Sequence, residues 1–218
     1  LQARHTAWGL SFSTVALFEQ SYSIMFRPGG QRGIFRLPVD SPAEGRLQWG
    51  ERADKEEIGM EIQGLQKMTL LDYPGKVACT VFLGGCDLRC PFCHNGELVE
   101  GETPAALDSG ELTAFLKKRQ GLLDGVCITG GEPLVRKDCV QLIKMIREIP
   151  EIDTIAMTTN GILLSEYLSE LVRAGLNAVN ISLDTLQRQR FRAITGCDGI
   201  PDWKALLRCC VQAGITTK

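Results

Sequence analysis

An excess of either charge is missing from this sequence: 24 Lys and Arg stand against 26 Asp and Glu, a formal net charge of −2. That balance argues against nucleic acid or an anionic membrane as the main partner. A long hydrophobic run is missing too. Hydrophobic residues make up 44% of the chain, enough for a globular core, yet no uninterrupted apolar stretch reaches the ~18 residues that cross a bilayer. The stretch Trp8–Phe18 is apolar but broken by Ser11, Ser13 and Thr14. It lacks a small-residue cleavage site and is a poor match to a secretory signal. Without export, the nine cysteines read as reduced thiols or metal ligands rather than disulfides, and the expected compartment is the cytoplasm.

A chain of 218 residues has room for one ordinary domain with an appendage. Residues 1–59 scatter Gly, Pro and charge, as in "RPGGQRGIFRLPVDSPAEGRLQWGERADKEE", with no sustained period of two or 3.6. They are expected to be irregular. The first residue is Leu1, and Lys55-Glu56-Glu57 ahead of Met60 can be encoded as a purine run of ribosome-binding type. The expectation is that Met60 is the start and that residues 1–59 are upstream sequence read in frame.

From Met60 onward the pattern changes. "KVACTVFLGG", "GVCITGG", "DTIAMTTNG" and "NAVNISLD" read as buried strands, and "GITTK" opens a fifth. Between them, Ser109–Gln120 reads as a helix with Ser109 as N-cap and Leu112, Phe115 and Leu116 on one side. Asp138–Glu148 carries Val140, Ile143 and Ile146 at helical spacing, Leu163–Ala174 is closed by Gly175, and Trp203–Ala213 follows. Strands alternating with helices predict an α/β fold with right-handed βαβ units, and apolar residues on both strand faces predict a parallel sheet. Because the fifth strand opens at the last residues, the expected architecture is a partial (incomplete) TIM-type barrel of parallel strands, cut short at the C-terminus. Catalytic groups in such a barrel sit at the carboxyl ends of the strands, where Cys86, Gly130–Glu132, Asn160 and Ser182–Asp184 fall.

"FLGGCDLRCPFCHNGE" places Cys86, Cys90 and Cys93 within eight residues, followed by His94. Four chemistries compete. Cys90-Pro91-Phe92-Cys93-His94 contains the c-type haem pattern, but attachment of that kind calls for export and leaves Cys86 unused. Cys90 and Cys93 could form a redox pair at a helix N-terminus, again without Cys86. Cys86, Cys90, Cys93 and His94 could bind zinc as Cys3His, although structural zinc usually draws on two separated pairs. The fourth reading is a [4Fe–4S] cluster held by three thiolates. Cubane clusters normally take four, so three leave one iron open, as a catalytic metal keeps a free position. The remaining six cysteines read as small apolar residues or idle thiols.

Cys86-x3-Cys90-x2-Cys93, with aromatic Phe92 before the third cysteine, resembles the radical S-adenosylmethionine superfamily. The resemblance implies a radical SAM core in which the open iron binds the methionine amino and carboxylate groups. One-electron reduction then gives a 5′-deoxyadenosyl radical that abstracts hydrogen from a substrate. It makes the three cysteines the metal ligands and seat of radical initiation. "TGGEP" resembles the family's second motif: Gly130 and Gly131 would let backbone approach the ligand, and Glu132 could face the ammonium. Asn160 in "TTNG" and Ser182 in "ISLD" match strand-end contacts to the cofactor, with Phe92 beside them. The plain alternatives are a strand-to-helix turn at Pro133, a turn at Asn160-Gly161, and helix capping by Ser182 or Asp184.

The resemblance divides near Leu134. Residues 60–134, including "MTLLDYPGKVACTVFLGGCDLRCPFCHN", are similar to activating proteins of anaerobic ribonucleotide reductases, which install a glycyl radical on a partner. Residues 128–218, including "TTNGILLSEYLSELVRAGLNAVNISLDTLQRQRFRAITG", are similar to the GTP 3′,8-cyclase of molybdenum-cofactor synthesis, with Gly-Gly-Glu-Pro as a natural crossover. Thr158 and Lys218 match cyclase positions for GTP, whereas Cys127 and Cys79 stand where the cyclases hold arginines. A thiol cannot replace a guanidinium clamp on a triphosphate. The complete cluster loop and "DYPG", which could be simply a turn, place the activating-protein reading ahead and the cyclase as the alternative. Implied partners are a glycyl-radical enzyme or GTP as substrate, and a one-electron donor such as flavodoxin or ferredoxin. A zinc-stabilised binding module is the non-enzyme alternative.

Overall fold

The computed structural model of the chain describes residues 59–71 and 75–218. Of the irregular stretch expected over residues 1–59, residues 1–58 lie outside the described residues, as does the Asp72-Tyr73-Pro74 part of "DYPG". Strands β1 (Glu61–Ile62), β2 (Gly64–Thr69) and β3 (Ala78–Leu83) come first. Then follow β4 (Leu107–Asp108), α1 (Ser109–Lys118), β5 (Gly125–Gly130), α2 (Cys139–Arg147) and β6 (Thr154–Thr159). The chain continues through α3 (Leu164–Ala174), β7 (Ala178–Ile181), α4 (Arg188–Thr195), α5 (Trp203–Gln212) and β8 (Thr216–Thr217).

The main sheet has the order β2-β3-β5-β6-β7-β8. The last five strands pair in parallel, with Thr80 opposite Cys127, Cys127 opposite Ala156 and Ala156 opposite Ala178. This is the partial TIM-type barrel expected of alternating strands and helices. Strands β3, β5 and β6 are buried along nearly their whole length. Side chains alternate between faces. One face places Cys79, Val81, Val126, Ile128, Ile155 and Met157 in the core with Leu112, Ile143, Ile146 and Leu171 of the helices. The other gathers small residues, Ala78, Cys127, Ala156 and Ala178.

Local chemistry sets the element ends. Asp108, not Ser109, caps α1: its Oδ1 accepts from Glu111 N at 2.8 Å, and Glu111 Oε2 accepts from Asp108 N at 2.9 Å. Aspartate followed at the third helical position by glutamate makes the reciprocal capping box, which outcompetes a lone serine; Ser109 is buried as the first helical residue instead. Gly175 ends α3 as expected, at φ 102°. Arg147 donates to the carbonyls of Ile152 and Gly175 and to Asn177 Oδ1, tying α2 to the start of β7.

Four elements have no counterpart in the sequence reading: the two-residue strands β1 and β4, strand β2 and helix α4. Strand β2 pairs antiparallel with β3, and its centre is exposed. Helix α4 buries only Phe191 and Thr195. An edge strand and a helix with so narrow an apolar stripe give little periodicity to detect. Among the described residues no helix is long and apolar enough to cross a membrane.

Candidate active site

At the carboxyl ends of the parallel strands lies a cavity of about 180 Å³. The loop after β3 brings Cys86, Cys90, Cys93 and Asn95 to it; β5 contributes Thr129 through Glu132, and β6 contributes Thr158 through Asn160. Ser182 and Asp184 follow β7, and Phe191 and Thr195 of α4 complete the wall. The expected site residues therefore meet, with two exceptions. Phe92 is 54% exposed and is not part of the wall. Lys218 is not part of it either; its backbone extends the sheet, the N–H donating to Val179 O and the carbonyl accepting from Ile181 N.

The cysteine loop is fastened mainly through its backbone. Gly85 N donates to Leu98 O at 2.7 Å, Cys86 N to Val99 O at 3.0 Å, and Arg89 N to Thr195 O at 3.0 Å. Cys93 N donates to Cys90 O at 3.1 Å, closing a local turn, and Leu88 N donates to Cys86 Sγ at 3.4 Å. Burial pushes the Cys86 thiol up to about 11, and burial followed by the Asp184 charge raises Cys90. A metal binding here would displace protons from these thiols. Among the described residues no three His, Cys, Asp or Glu side chains form a metal-ligand set; the thiols share a cavity wall. His94 is exposed outside that wall, which weighs against Cys3His. None of the nine cysteines is in a disulfide, and burial raises Cys79 and Cys139 to about 12.

The Gly-Gly-Glu turn holds chain against chain. Gly131 N donates to Leu83 O at 2.8 Å, and Glu132 N donates to Gly85 O at 2.7 Å. Gly130 has φ +119°, and a Cβ on Gly131 would lie 2.0 Å from Gly85 O. The glycines thus first serve the approach of two strand ends to one another. Pro133 opens a 3-10 turn, with Glu132 as its cap, so the plain turn reading also holds.

Glu132 is 1% exposed. Its Oε1 accepts from Leu134 N at 3.1 Å and Thr159 Oγ1 at 2.8 Å, and its Oε2 accepts from Asn160 N at 2.6 Å. Burial raises this carboxyl to about 7, the three hydrogen bonds pull the other way, and the Asp87 charge adds a little. In this geometry the chain itself holds the carboxylate. Asn160 Oδ1 accepts from Ile162 N at 2.9 Å, forming the anticipated turn, and its Nδ2 donates to Asp87 Oδ1 at 2.6 Å. Ser182 N donates to Thr159 O; neither Ser182 nor Asp184 caps a helix, since α4 begins after Gln187.

Asn95 escaped the sequence reading. Its Nδ2 donates to Gly130 O at 2.8 Å, joining the end of the cysteine loop to the glycine turn. Its place beside His94 offered a signal only once the loop was known to fold over β5. Asp87, Phe191 and Thr195 were missed too, for the same want of tertiary information. Of the two cysteines at arginine positions, Cys127 lies on the small-residue face and Cys79 in the helix-facing core.

A family model described as the Radical SAM superfamily matches residues 80–218. The GTP 3′,8-cyclase of Alkaliphilus oremlandii is 41% identical over 133 residues, 60% of this chain and 42% of that protein. The GTP 3′,8-cyclase of Clostridium perfringens is 46% identical over 115 residues, 50% of this chain and 35% of that protein. A probable GTP 3′,8-cyclase of Archaeoglobus fulgidus is 46% identical over 112 residues, 51% and 36% respectively. The aligned segments span less than half the length of these relatives. Among solved structures, QueE from Escherichia coli covers 73% of this chain and 92% of its own at 16% identity and a TM-score of 0.42.

Proposed function

The chain belongs to the radical SAM superfamily, and on that premise we propose that Cys86, Cys90 and Cys93 hold a [4Fe–4S] cluster whose open iron takes S-adenosylmethionine. The observation that carries this reading is the shared wall: three thiols of one loop line the same cavity as Gly130, Gly131, Asn160 and Ser182. The donor set fits the group, because three thiols and no histidine face the cavity, and thiolates are what such clusters take. When bound, the cluster supplies one-electron cleavage of the cofactor's sulfonium. The chain's own part is to bind and orient. Gly130 and Gly131 would offer backbone, and Ser182, on the same wall, would offer its hydroxyl to the cofactor. Buried Glu132 keeps the β5 and β6 ends together. The electron comes from a donor of the flavodoxin or ferredoxin kind, in a reducing compartment such as the cytoplasm.

For the substrate, the three relatives named above carry the GTP 3′,8-cyclase reading and support it more than the glycyl-radical reading. We therefore take GTP as the substrate to test, with Thr158 on the cavity wall as its contact. The experiment is anaerobic reconstitution with iron and sulfide, then reduction in the presence of S-adenosylmethionine. About four irons per chain and formation of 5′-deoxyadenosine are expected, both lost in Cys90→Ala, with GTP accelerating turnover. Zinc bound by four fixed ligands, with no cofactor cleavage, would sink the reading.

A further inference from the structure

The cysteine loop bears two residues to which no role has been given: Asp87 and Arg89. Arg89 pairs with Glu100 at the surface, Nε to Oε1 at 3.3 Å, and its guanidinium also donates to the carbonyls of Cys86 and Leu88. Asp87 does something different. It sits directly after Cys86, yet its Oδ1 accepts from the side chain of Asn160, 73 residues away, at 2.6 Å. Asn160 is itself doubly fixed: its backbone N–H donates to the buried carboxylate of Glu132, and its Oδ1 holds the N–H of Ile162. A buried anchor at Glu132 therefore sets Asn160, and Asn160 sets Asp87.

The rest of the loop shows why this matters. Beyond Arg89 N, the span that holds Cys90 and Cys93 is closed by the local turn from Cys93 N to Cys90 O, and the next fastening is Asn95 on Gly130. The lateral position of the loop over the cavity thus depends on a few cross-links. One of them, Asp87 to Asn160, joins the residue beside the first thiol to the end of β6.

We propose that Asp87 and Asn160 form a latch, anchored on Glu132, that fixes the cysteine loop against the end of β6 and so sets where the cluster stands relative to the cofactor side of the cavity. Both are positioning residues. The amide of Asn160 is spent on the chain in this state, which gives it a role distinct from a direct cofactor contact. The proposal rests on the reading that this loop holds a cluster, so its test needs one arm that does not.

The variants are Asp87→Ala, Asp87→Asn, Asn160→Asp, and Asp87→Ala combined with Asn160→Asp, each in the full chain. Asp87→Asn keeps an oxygen that can accept from Asn160. Asn160→Asp keeps the turn bond to Ile162 N but removes the donor to Asp87. In the iron-free protein, amide exchange over residues 86–93 should quicken about fivefold in Asp87→Ala, the worth of one net hydrogen bond. It should return to the wild-type rate in Asp87→Asn. Asn160→Asp should exchange at least as fast as Asp87→Ala, and the double variant no faster than Asp87→Ala alone. After reconstitution, the electron paramagnetic resonance spectrum of the reduced cluster, and its change on adding S-adenosylmethionine, should be altered in Asp87→Ala and restored in Asp87→Asn. Unchanged exchange in Asp87→Ala, equal exchange in Asp87→Ala and Asp87→Asn, or additive effects in the double variant would each overturn the latch. Failure of the wild-type chain to take up iron would instead defeat the cluster reading, while the exchange arm still decides whether the latch exists.

Discussion

Adding one methyl group at Gly131 tests the packing that shapes the site. A Cβ there would stand 2.0 Å from Gly85 O and 2.7 Å from Gly85 C, where real contacts essentially never fall under 3.0 Å. Both obstacles are backbone, so no side chain can swing aside. The strand-end loops must part by about 1 Å, which carries Glu132 N and Gly85 O, now at 2.7 Å, past hydrogen-bond range. Losing that bond in a buried setting costs about 1–3 kcal/mol, and the forced repacking adds about 1–3 kcal/mol. Gly131→Ala should therefore lose about 2–6 kcal/mol, a large share of an ordinary domain's ~5–15 kcal/mol. Because Gly85 precedes Cys86, the displacement also reaches the cysteine loop. Urea unfolding gives the first quantity and iron content after reconstitution the second. Gly96→Ala is the control, since nothing lies within 4 Å of a Cβ there, and it should fall within about 0.5 kcal/mol of wild type. Gly131→Ala with wild-type stability and full iron would refute the reasoning.

Glu132 gives a pH signature. Its folded value near 7 lies above the unfolded 4.5, so the folded state holds the proton more tightly. That contribution is fully present below about pH 4.5 and is lost as pH rises through 7, roughly 3 kcal/mol across the window. Urea midpoints should fall from pH 5 to pH 8, and Glu132→Gln should flatten the slope; an unchanged slope in the variant would count against the buried carboxylate. Asp108→Ala removes the α1 cap and should lose about 1 kcal/mol without altering iron uptake, checked by the same two measurements. Thiol alkylation of the iron-free chain near pH 8 should label exposed Cys93 and Cys209 first and spare buried Cys79 and Cys139, whose folded values lie near 12. Mass spectrometry of the peptides would show the order, and early labelling of Cys79 would contradict its place in the core.

What could be read without coordinates follows the strength of local signals. Strands β3, β5 and β6 announce themselves as short apolar runs, because a parallel strand covered on both faces has little room for polar residues. Helix α3 does so through its apolar period and Gly175. The meeting of Cys86, Gly130 and Ser182 at one cavity follows from strand direction alone, since parallel strands send all their carboxyl ends to the same side. The bonds that hold these ends together left no such trace. Glu132 to Asn160 and Asp87 to Asn160 join residues 28 and 73 positions apart, and no periodicity encodes a single pairing at that distance. Phe92, a motif position beside Cys93, is 54% exposed, a surface placement that the motif alone does not encode.

The division of the chain at Gly-Gly-Glu-Pro bears on which substrate to expect. Glu132 N is bonded to Gly85 in the half that carries the cysteine loop, and its carboxylate is bonded to Thr159 and Asn160 in the other half. Arg89 N reaches Thr195 O in the same way. The site is therefore interlocked across the division, and each half contributes a different kind of residue. The first supplies the thiols, a requirement common to the chemistry whatever it acts upon. The second supplies Thr158, Asp184, Phe191 and Thr195 to the same wall. Selectivity depends on differential contacts with the substrate, so the second half should weigh more in choosing among substrates than the loop that generates the radical. That half resembles the cyclases. Thr158 tests the choice, because it lies on the cavity wall. If GTP is the substrate, Thr158→Ala should weaken its binding about fivefold, the worth of one net hydrogen bond, and isothermal titration would measure it. Unchanged binding, in a variant that still folds and takes up iron, would turn the choice away from GTP.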